Sequence, residues 1–326
     1  MRNKNTDFFE PLALRLFRHQ AVFNPIYSQY IKLLGISEPK VKKLKDIPFL
    51  PIQLFKSKKI ITNHQQHQHS ILFQSSGTTQ QQRSKHYVTD ISLYEKSFTI
   101  GFQKQYGPIT DYAFLCLLPS YLENGQSSLV YMAQKLITAS RNPASSFYLN
   151  NYAQLTSTVQ QLEKIGQKYI ILGVTYALMD LADFFEYNGV DPLKFGIVME
   201  TGGMKGRRAE MVKEALHLLL CSKFKIDTIH SEYGMTELLS QAYSKGNGRF
   251  YSPDWMQVFV REINDPFSTV EVGGVGALNI IDLANKNSCA FIATDDIGKK
   301  FSDDSFEIIG RIDDSDLRGC NLLVDL

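Results

Sequence analysis

The sequence predicts an α/β protein with a largely parallel sheet, flanking helices and a smaller β subdomain. Three observations predict it. Between Asp90 and Leu220, short apolar runs alternate with longer stretches of helical periodicity. Strands separated by helices of that length favour parallel pairing through right-handed crossovers. Past Gly246 the texture changes to short strands and turns, the mark of antiparallel β structure.

In chain order, Asp7 to Leu34 carries apolar residues mostly three and four apart, which predicts helix. Ile47-Pro48-Phe49-Leu50-Pro51-Ile52 is extended, because a residue before proline is pushed out of the helical region. Ser70–Gln74 is a strand candidate, and Asp90–Tyr106 a helix with Asp90 as N-cap. The apolar run Tyr112–Leu118, ended by Pro119, suits a buried strand. Helices follow over Ser127–Ala139 and Tyr152–Ile165, the second stopped by Gly166. Tyr169–Gly173 is a strand, Thr175–Tyr187 a helix, Phe195–Met199 a strand and Arg207–Leu220 a helix. Lys225–Ile229 reads as a short strand and Leu238–Ala242 as the start of a helix. In the last part, Trp255–Ile263, Gly276–Ile281, Cys289–Thr294 and Phe306–Ile309 read as strands. The expected organisation is an α/β core over 1–245, a small β subdomain over 246–311 and a tail over 312–326.

With 44% hydrophobic and 21% charged residues, the chain has enough apolar material for a full core. A formal charge of +2 argues neither for nor against nucleic acid or a membrane surface. Cys116, Cys221, Cys289 and Cys320 form no CxxC pair, so neither a zinc site nor a disulfide framework is expected. No apolar run is long enough to span a bilayer, and Met1–Asp7 lacks the apolar core of a signal peptide. The expectation is a cytoplasmic protein with reduced thiols. His64, His67 and His69 sit among glutamines, which reads as a solvated loop rather than a metal site.

Two stretches carry chemistry. Ser231-Glu232-Tyr233-Gly234-Met235-Thr236-Glu237 follows a predicted strand, at the edge where open α/β sheets bind ligands. It gathers a flat aromatic, a hydroxyl and a carboxylate around one glycine turn, parts that suit a ring, a phosphate and a divalent cation. Ser75-Ser76-Gly77-Thr78-Thr79 puts four hydroxyls around one glycine and can wrap phosphate oxygens. It is not a P-loop, since GxxxxGK[ST] is absent. Taken alone, each stretch also reads as an ordinary polar turn.

Their order is more specific than either one. Ser75–Thr79, Thr201-Gly202-Gly203, Tyr233–Glu237, Val272–Leu278, Thr294-Asp295-Asp296-Ile297-Gly298 and Gly310-Arg311-Ile312-Asp313-Asp314 follow one another along the chain. This series resembles the adenylate-forming superfamily of acyl-CoA synthetases, luciferase and phenylacetate-CoA ligases, and implies its large N-terminal domain. Ile47–Pro51 with Phe55-Lys56, and Asp316-Leu317-Arg318-Gly319-Cys320, look like the acyl-protein synthetases of the luciferase fatty acid reductase system, the LuxE-like family.

The resemblance implies ATP and Mg²⁺ as cofactors. Ser75, Ser76, Thr78 and Thr79, around Gly77, would grip the β and γ phosphates. Tyr233 would pack on adenine, with Gly202 and Gly203 lining that pocket and Gly234 at its turn. Thr236 would bond the α-phosphate and Glu237 would hold Mg²⁺. Asp296 would take the ribose hydroxyls, with Asp295 as the other candidate by register, and Arg311 would reach ribose or phosphate. The implied activity turns a fatty or related carboxylic acid into its acyl adenylate, then transfers the acyl group to Cys320 and on to a partner. Alternatives are a ligase releasing free acyl-CoA, and a catalytically impaired nucleotide-binding subunit. An acyl-CoA reductase or an acyl carrier protein is the partner implied; nucleic acid is not. Two departures stand out. Gln80-Gln81-Gln82-Arg83 replaces the usual Gly-x-Pro-Lys. The sequence also ends soon after Asp314, so the family's mobile C-terminal domain and its lysine are expected to be absent, as in LuxE-like proteins.

Overall fold

The computed structural model describes residues 6–63, 70–76, 82–119, 125–202 and 211–312. They form two compact units, Met1–Ile91 with Tyr251–Leu326, and Ser92–Phe250.

The first unit opens with α1 (Thr6–Phe23) and α2 (Pro25–Leu33). Asn24 separates them: its side chain accepts from the Tyr27 amide, and Pro25 starts the second helix without needing a donor. Next come β1 (Leu50–Pro51), α3 (Leu54–Ser57) and an antiparallel hairpin of β2 (Ile71–Gln74) and β3 (Lys85–Val88). The sequence reading has no counterpart of β3, whose Lys85-His86-Tyr87-Val88 alternates half-buried and buried residues.

The second unit begins with α4 (Ile91–Tyr106), β4 (Ala113–Leu117), α5 (Ser128–Ser140) and β5 (Ser146–Phe147). It continues through α6 (Tyr152–Ile165), β6 (Tyr169–Val174), α7 (Thr175–Tyr187) and β7 (Gly196–Thr201). It closes with α8 (Lys213–Phe224), β8 (His230–Tyr233) and β9 (Ala242–Ser244). The six strands form one sheet in the order β5-β4-β6-β7-β8-β9. All neighbours are parallel except β8 and β9. Every residue of β4 and β6 is buried, which is why they read as unbroken apolar runs. Ser127 and Asn151 cap the starts of α5 and α6 with their side chains, and Gly166, the expected stop, ends α6 at φ +69°.

The chain then returns to the first unit with β10 (Met256–Arg261), β11 (Val275–Asp282), β12 (Phe291–Lys300) and β13 (Phe306–Arg311). β10, β11 and β12 pair antiparallel in that order, while β1 (parallel) and β13 (antiparallel) also pair with β12.

Residues 6–91 fall in one compact unit with the C-terminal strands. Buried amides explain it: Gln20 donates to the carbonyls of Asn285 and Ser288 and accepts from the Ala290 amide, and Tyr27 stacks on Phe291. Two readings of single elements are corrected. Lys225–Ile229 is not a strand. α8 runs on to Phe224, Lys225 ends it with φ +55°, and pairing starts only at His230. Leu238–Ala242 is not a helix start. Those five residues are all buried, so no polar face is left for solvent; they turn and enter β9.

Among the described residues, no helix is long and apolar enough to cross a membrane.

Candidate active site

In the unit Ser92–Phe250, parallel pairing brings the carboxyl ends of β6, β7 and β8 to one edge. Hydroxyls join these ends. The Thr175 hydroxyl donates to the Gly202 carbonyl at 2.8 Å, linking β6 to the residue after β7. The Thr201 hydroxyl donates to Glu232 Oε2 at 2.5 Å, linking β7 to β8. Gly202 is exposed at φ +70°, a conformation that costs glycine little.

Tyr233 ends β8. It is buried, its ring lies 5.9 Å from that of Phe250 and its hydroxyl points to Met235 Sδ at 3.8 Å. Gly234 begins the turn, and a Cβ there would stand 2.6 Å from Glu232 Oε1, so a side chain at this position would displace that carboxyl. Thr236 is half-buried, and the buried Glu237 is 5% exposed. Because no helix follows, Glu237 is not a helix-capping carboxylate. Gly202, Tyr233, Gly234, Thr236 and Glu237 therefore share one sheet edge, as expected from their order in the sequence.

Four residues that sequence reasoning missed surround them. Glu200 and Glu232 are buried carboxyls on adjacent strands. Lys213 Nζ meets Glu200 Oε1 at 2.8 Å and lies 4.4 Å from the Phe250 ring centre; His217 Nε2 stands 3.6 Å from the same oxygen. Burial alone would raise the Glu200 carboxyl, but His217 and Lys213 outweigh it and hold Glu200 below the usual range. Among the described residues, no cation plays that role for Glu232. Burial pushes it up to about 7, the Thr201 bond opposes the rise and the Glu200 charge adds to it. The one signal in the sequence was a glutamate in each of two otherwise buried strand segments.

In the other unit, Ser75 and Ser76 follow β2. The Ser75 and Ser84 amides close the hairpin mouth, with Ser75 N donating to Ser84 O at 3.1 Å and Ser84 N donating to Ser75 Oγ at 3.0 Å. Asp296 and Arg311 are cross-strand partners on β12 and β13. Asp295 accepts from Gln53 Nε2 and has Arg311 Nη2 at 3.9 Å. Burial raises the Asp295 carboxyl, against the pull of Arg311, Lys56, Gln53 and Arg261. Asp295 is thus tied to groups within its own unit, while the Asp296 amide donates to Thr294 Oγ1 at 3.1 Å. Gly77, Thr78, Thr79, Gly203 and Cys320 lie outside the described residues.

Among the described residues, no group of three or more His, Cys, Asp or Glu could hold a metal ion. Glu237 is a single buried carboxylate. That fits Mg²⁺, which typically takes one or two carboxylates and completes its shell with phosphate oxygens and water.

No protein-family model matches the chain, and no curated protein does. Solved structures do. 2-Hydroxyisobutyryl-CoA ligase, in complex with 2-HIB-AMP and CoA in its thioesterification state, is 14% identical with a TM-score of 0.65 over 93% of this chain and 67% of that one. ATP-bound MatB from Rhodopseudomonas palustris is 15% identical with a TM-score of 0.52, covering 74% of this chain and 47% of its own. The amide bond synthetase McbA from Marinactinospora thermotolerans is also 15% identical with a TM-score of 0.52, covering 74% and 49%. The chain spans about half the length of MatB and McbA. What they share is the fold: mixed parallel and antiparallel sheets with flanking helices.

Proposed function

We propose that this protein activates a carboxylic acid with ATP, forming an acyl adenylate and pyrophosphate. The observation that carries the reading is the turn Tyr233–Glu237, which sets a buried carboxylate beside a hydroxyl and an aromatic ring at the carboxyl end of β8. A carboxylate is a poor electrophile because its leaving oxide is strongly basic; the adenylate replaces that oxide with AMP. Tyr233 packs on adenine beside Gly202, with Gly203 the further lining candidate that the sequence names. Thr236 donates to the α-phosphate, and Glu237 holds Mg²⁺, which supplies charge neutralisation on the phosphates. Ser75, Ser76, Thr78 and Thr79 donate to the β and γ phosphates. Asp296 accepts from the ribose hydroxyls and Arg311 offers a forked donor to ribose or phosphate.

Two acceptors suit the second half-reaction. The likeness to 2-hydroxyisobutyryl-CoA ligase over 93% of the chain favours CoA and a free thioester. The tail Arg318-Gly319-Cys320 favours acyl transfer to Cys320, where Arg318 would promote the thiolate, and onward to an acyl-CoA reductase or acyl carrier protein.

The test is ATP–pyrophosphate exchange with a panel of fatty and short carboxylic acids. Exchange with at least one acid is expected, and none with any would overturn the reading in favour of an impaired nucleotide-binding subunit. Product formation that requires CoA selects the first acceptor. A hydroxylamine-labile acyl label on Cys320, formed without CoA and lost in Cys320→Ser, selects the second.

A further inference from the structure

We propose that Arg261 is the positioning residue of the nucleotide site: it holds the Thr294–Asp296 segment in the shape that presents Asp296 to the ribose. This rests on the reading of Asp296 as the ribose ligand.

The segment is irregular. β11 pairs with β12 through Ala277↔Ile297 and Asn279↔Ala293, so two steps on β11 face four on β12. Thr294, Asp295 and Asp296 are therefore left out of the β11 ladder, as in a bulge. Bulges re-aim side chains, and their backbone groups need other partners. Here the partners are specific. Thr294 Oγ1 donates to the Leu278 carbonyl at 2.8 Å and accepts from the Asp296 amide at 3.1 Å. The Ile312 amide donates to the Asp295 carbonyl at 2.7 Å. The Thr294 carbonyl accepts from Arg261 Nη2 at 2.9 Å.

Arg261 reaches that carbonyl from β10, two strands away. It sits opposite Ala277, whose methyl leaves room for a guanidinium to cross β11. Its backbone is pinned as well. A Cβ at Gly276 would stand 2.2 Å from the Arg261 carbonyl oxygen, so the close approach there requires glycine.

The arrangement is expensive as pure structure. Arg261 is only 9% exposed, and its Nε and Nη1 have no hydrogen-bond partner among the described residues. Burying a cation to satisfy one carbonyl is a poor route to stability, since an apolar side chain of similar size avoids the desolvation. A fixed guanidinium bonded to the backbone of the bulge does something an apolar residue cannot. It orients the bulge through the Thr294 carbonyl, and its charge opposes the burial that raises the Asp295 carboxyl.

The experiment measures binding of Mg·ATP and Mg·2′,3′-dideoxy-ATP by titration calorimetry without any acid, so that the identity of the acid does not matter. Wild type is expected to prefer ATP by at least about tenfold, the worth of one charge-assisted contact. Asp296→Ala should bring that ratio near one. Arg261→Met should do the same with Asp296 still present, and Arg261→Lys should lower the ratio by a smaller factor, since a lysine lacks the fork that reaches the carbonyl. Wild type binding both nucleotides equally, or neither, would overturn the ribose reading and this inference with it. A preference lost in Asp296→Ala but kept at the wild-type value in both Arg261 variants would overturn the role of Arg261 alone. If Arg261→Met fails to fold, Arg261→Lys decides: an unchanged ratio overturns the proposal and a reduced one supports it.

Discussion

The Thr201 hydroxyl donates to the Glu232 carboxyl at 2.5 Å, so a side chain at the end of β7 neutralises part of the burial cost of an acid on β8. Thr201 precedes the exposed Gly202 and Glu232 precedes Tyr233, so this one bond ties together the two strand ends that carry the candidate site.

That bond sets up a pH prediction. Burial lifts Glu232 from the usual 4.5 to about 7, so between those values the folded protein holds a proton that the unfolded chain does not. Stability contributed by Glu232 therefore falls as pH rises through this window. Glu232→Gln keeps an acceptor for Thr201 and removes the titration. In thermal melts the variant is expected to be more stable than wild type at pH 8, by at most about 3.4 kcal/mol at 1.36 kcal/mol per pKa unit. Below the usual 4.5 the advantage should vanish. A difference that does not change with pH would rule out Glu232 as its source.

Glu200 predicts the opposite slope. Its carboxyl is held below the usual range, so its contribution is present above the unfolded value and lost as pH falls through the folded one. Lys213→Met removes the 2.8 Å partner and leaves the buried carboxylate with His217 as its basic neighbour among the described residues. The expected cost at neutral pH is about 1–2 kcal/mol, discounted from a fully buried pair because water reaches the ammonium. Thermal melts should show the gap narrowing in acid; a gap that widens there contradicts the assignment.

Glu237→Gln separates chemistry from stability. No helix starts after the Tyr233–Glu237 turn, so no cap is lost. Pyrophosphate exchange is expected to fall at least about a hundredfold, roughly 2.7 kcal/mol of barrier, with the melting temperature nearly unchanged. Normal exchange in this variant would remove Glu237 from the metal site.

Asp295 and Asp296 are neighbours with different expected phenotypes. Asp296→Ala should weaken ATP binding by about ten- to a hundredfold, from the loss of charge-assisted bonds to the diol. Asp295→Ala frees Gln53 and Arg311 within the same unit and should lower the melting temperature instead. Calorimetric titration with a non-hydrolysable ATP analogue decides, and the reverse pattern would move the ribose contact to Asp295.

Most of the α/β unit was legible because its signals are local. Ala113–Leu117 and Tyr169–Val174 are buried on both faces, so their apolar runs have one reading once Pro119 and Gly166 mark the neighbouring stops. Ser127 and Asn151 cap helices through bonds to amides three residues on, which a sequence displays directly. The order of Gly202, Tyr233, Gly234, Thr236 and Glu237 was legible for a related reason: in a parallel sheet, residues just after successive strands must meet at one edge.

By itself, then, the sequence determined what depends on period and on short range: the alternation of strands with helices, the Gly166 stop, and the shared edge after β7 and β8. Tertiary structure decided what depends on partners far along the chain. Leu238–Ala242 has the composition of a helix start, yet with all five side chains buried it becomes a turn and an antiparallel strand. Gln20 reads as one polar residue in an amphipathic helix, yet its amide meets backbone groups at Asn285, Ser288 and Ala290 and fixes the N-terminal helices to the C-terminal strands. Arg261 and Glu232 read as ordinary charges; only burial gives one a carbonyl across two strands and the other a proton near neutral pH. Desolvation is the physical reason. Its cost depends on everything packed around a group, and no stretch of sequence contains that surrounding.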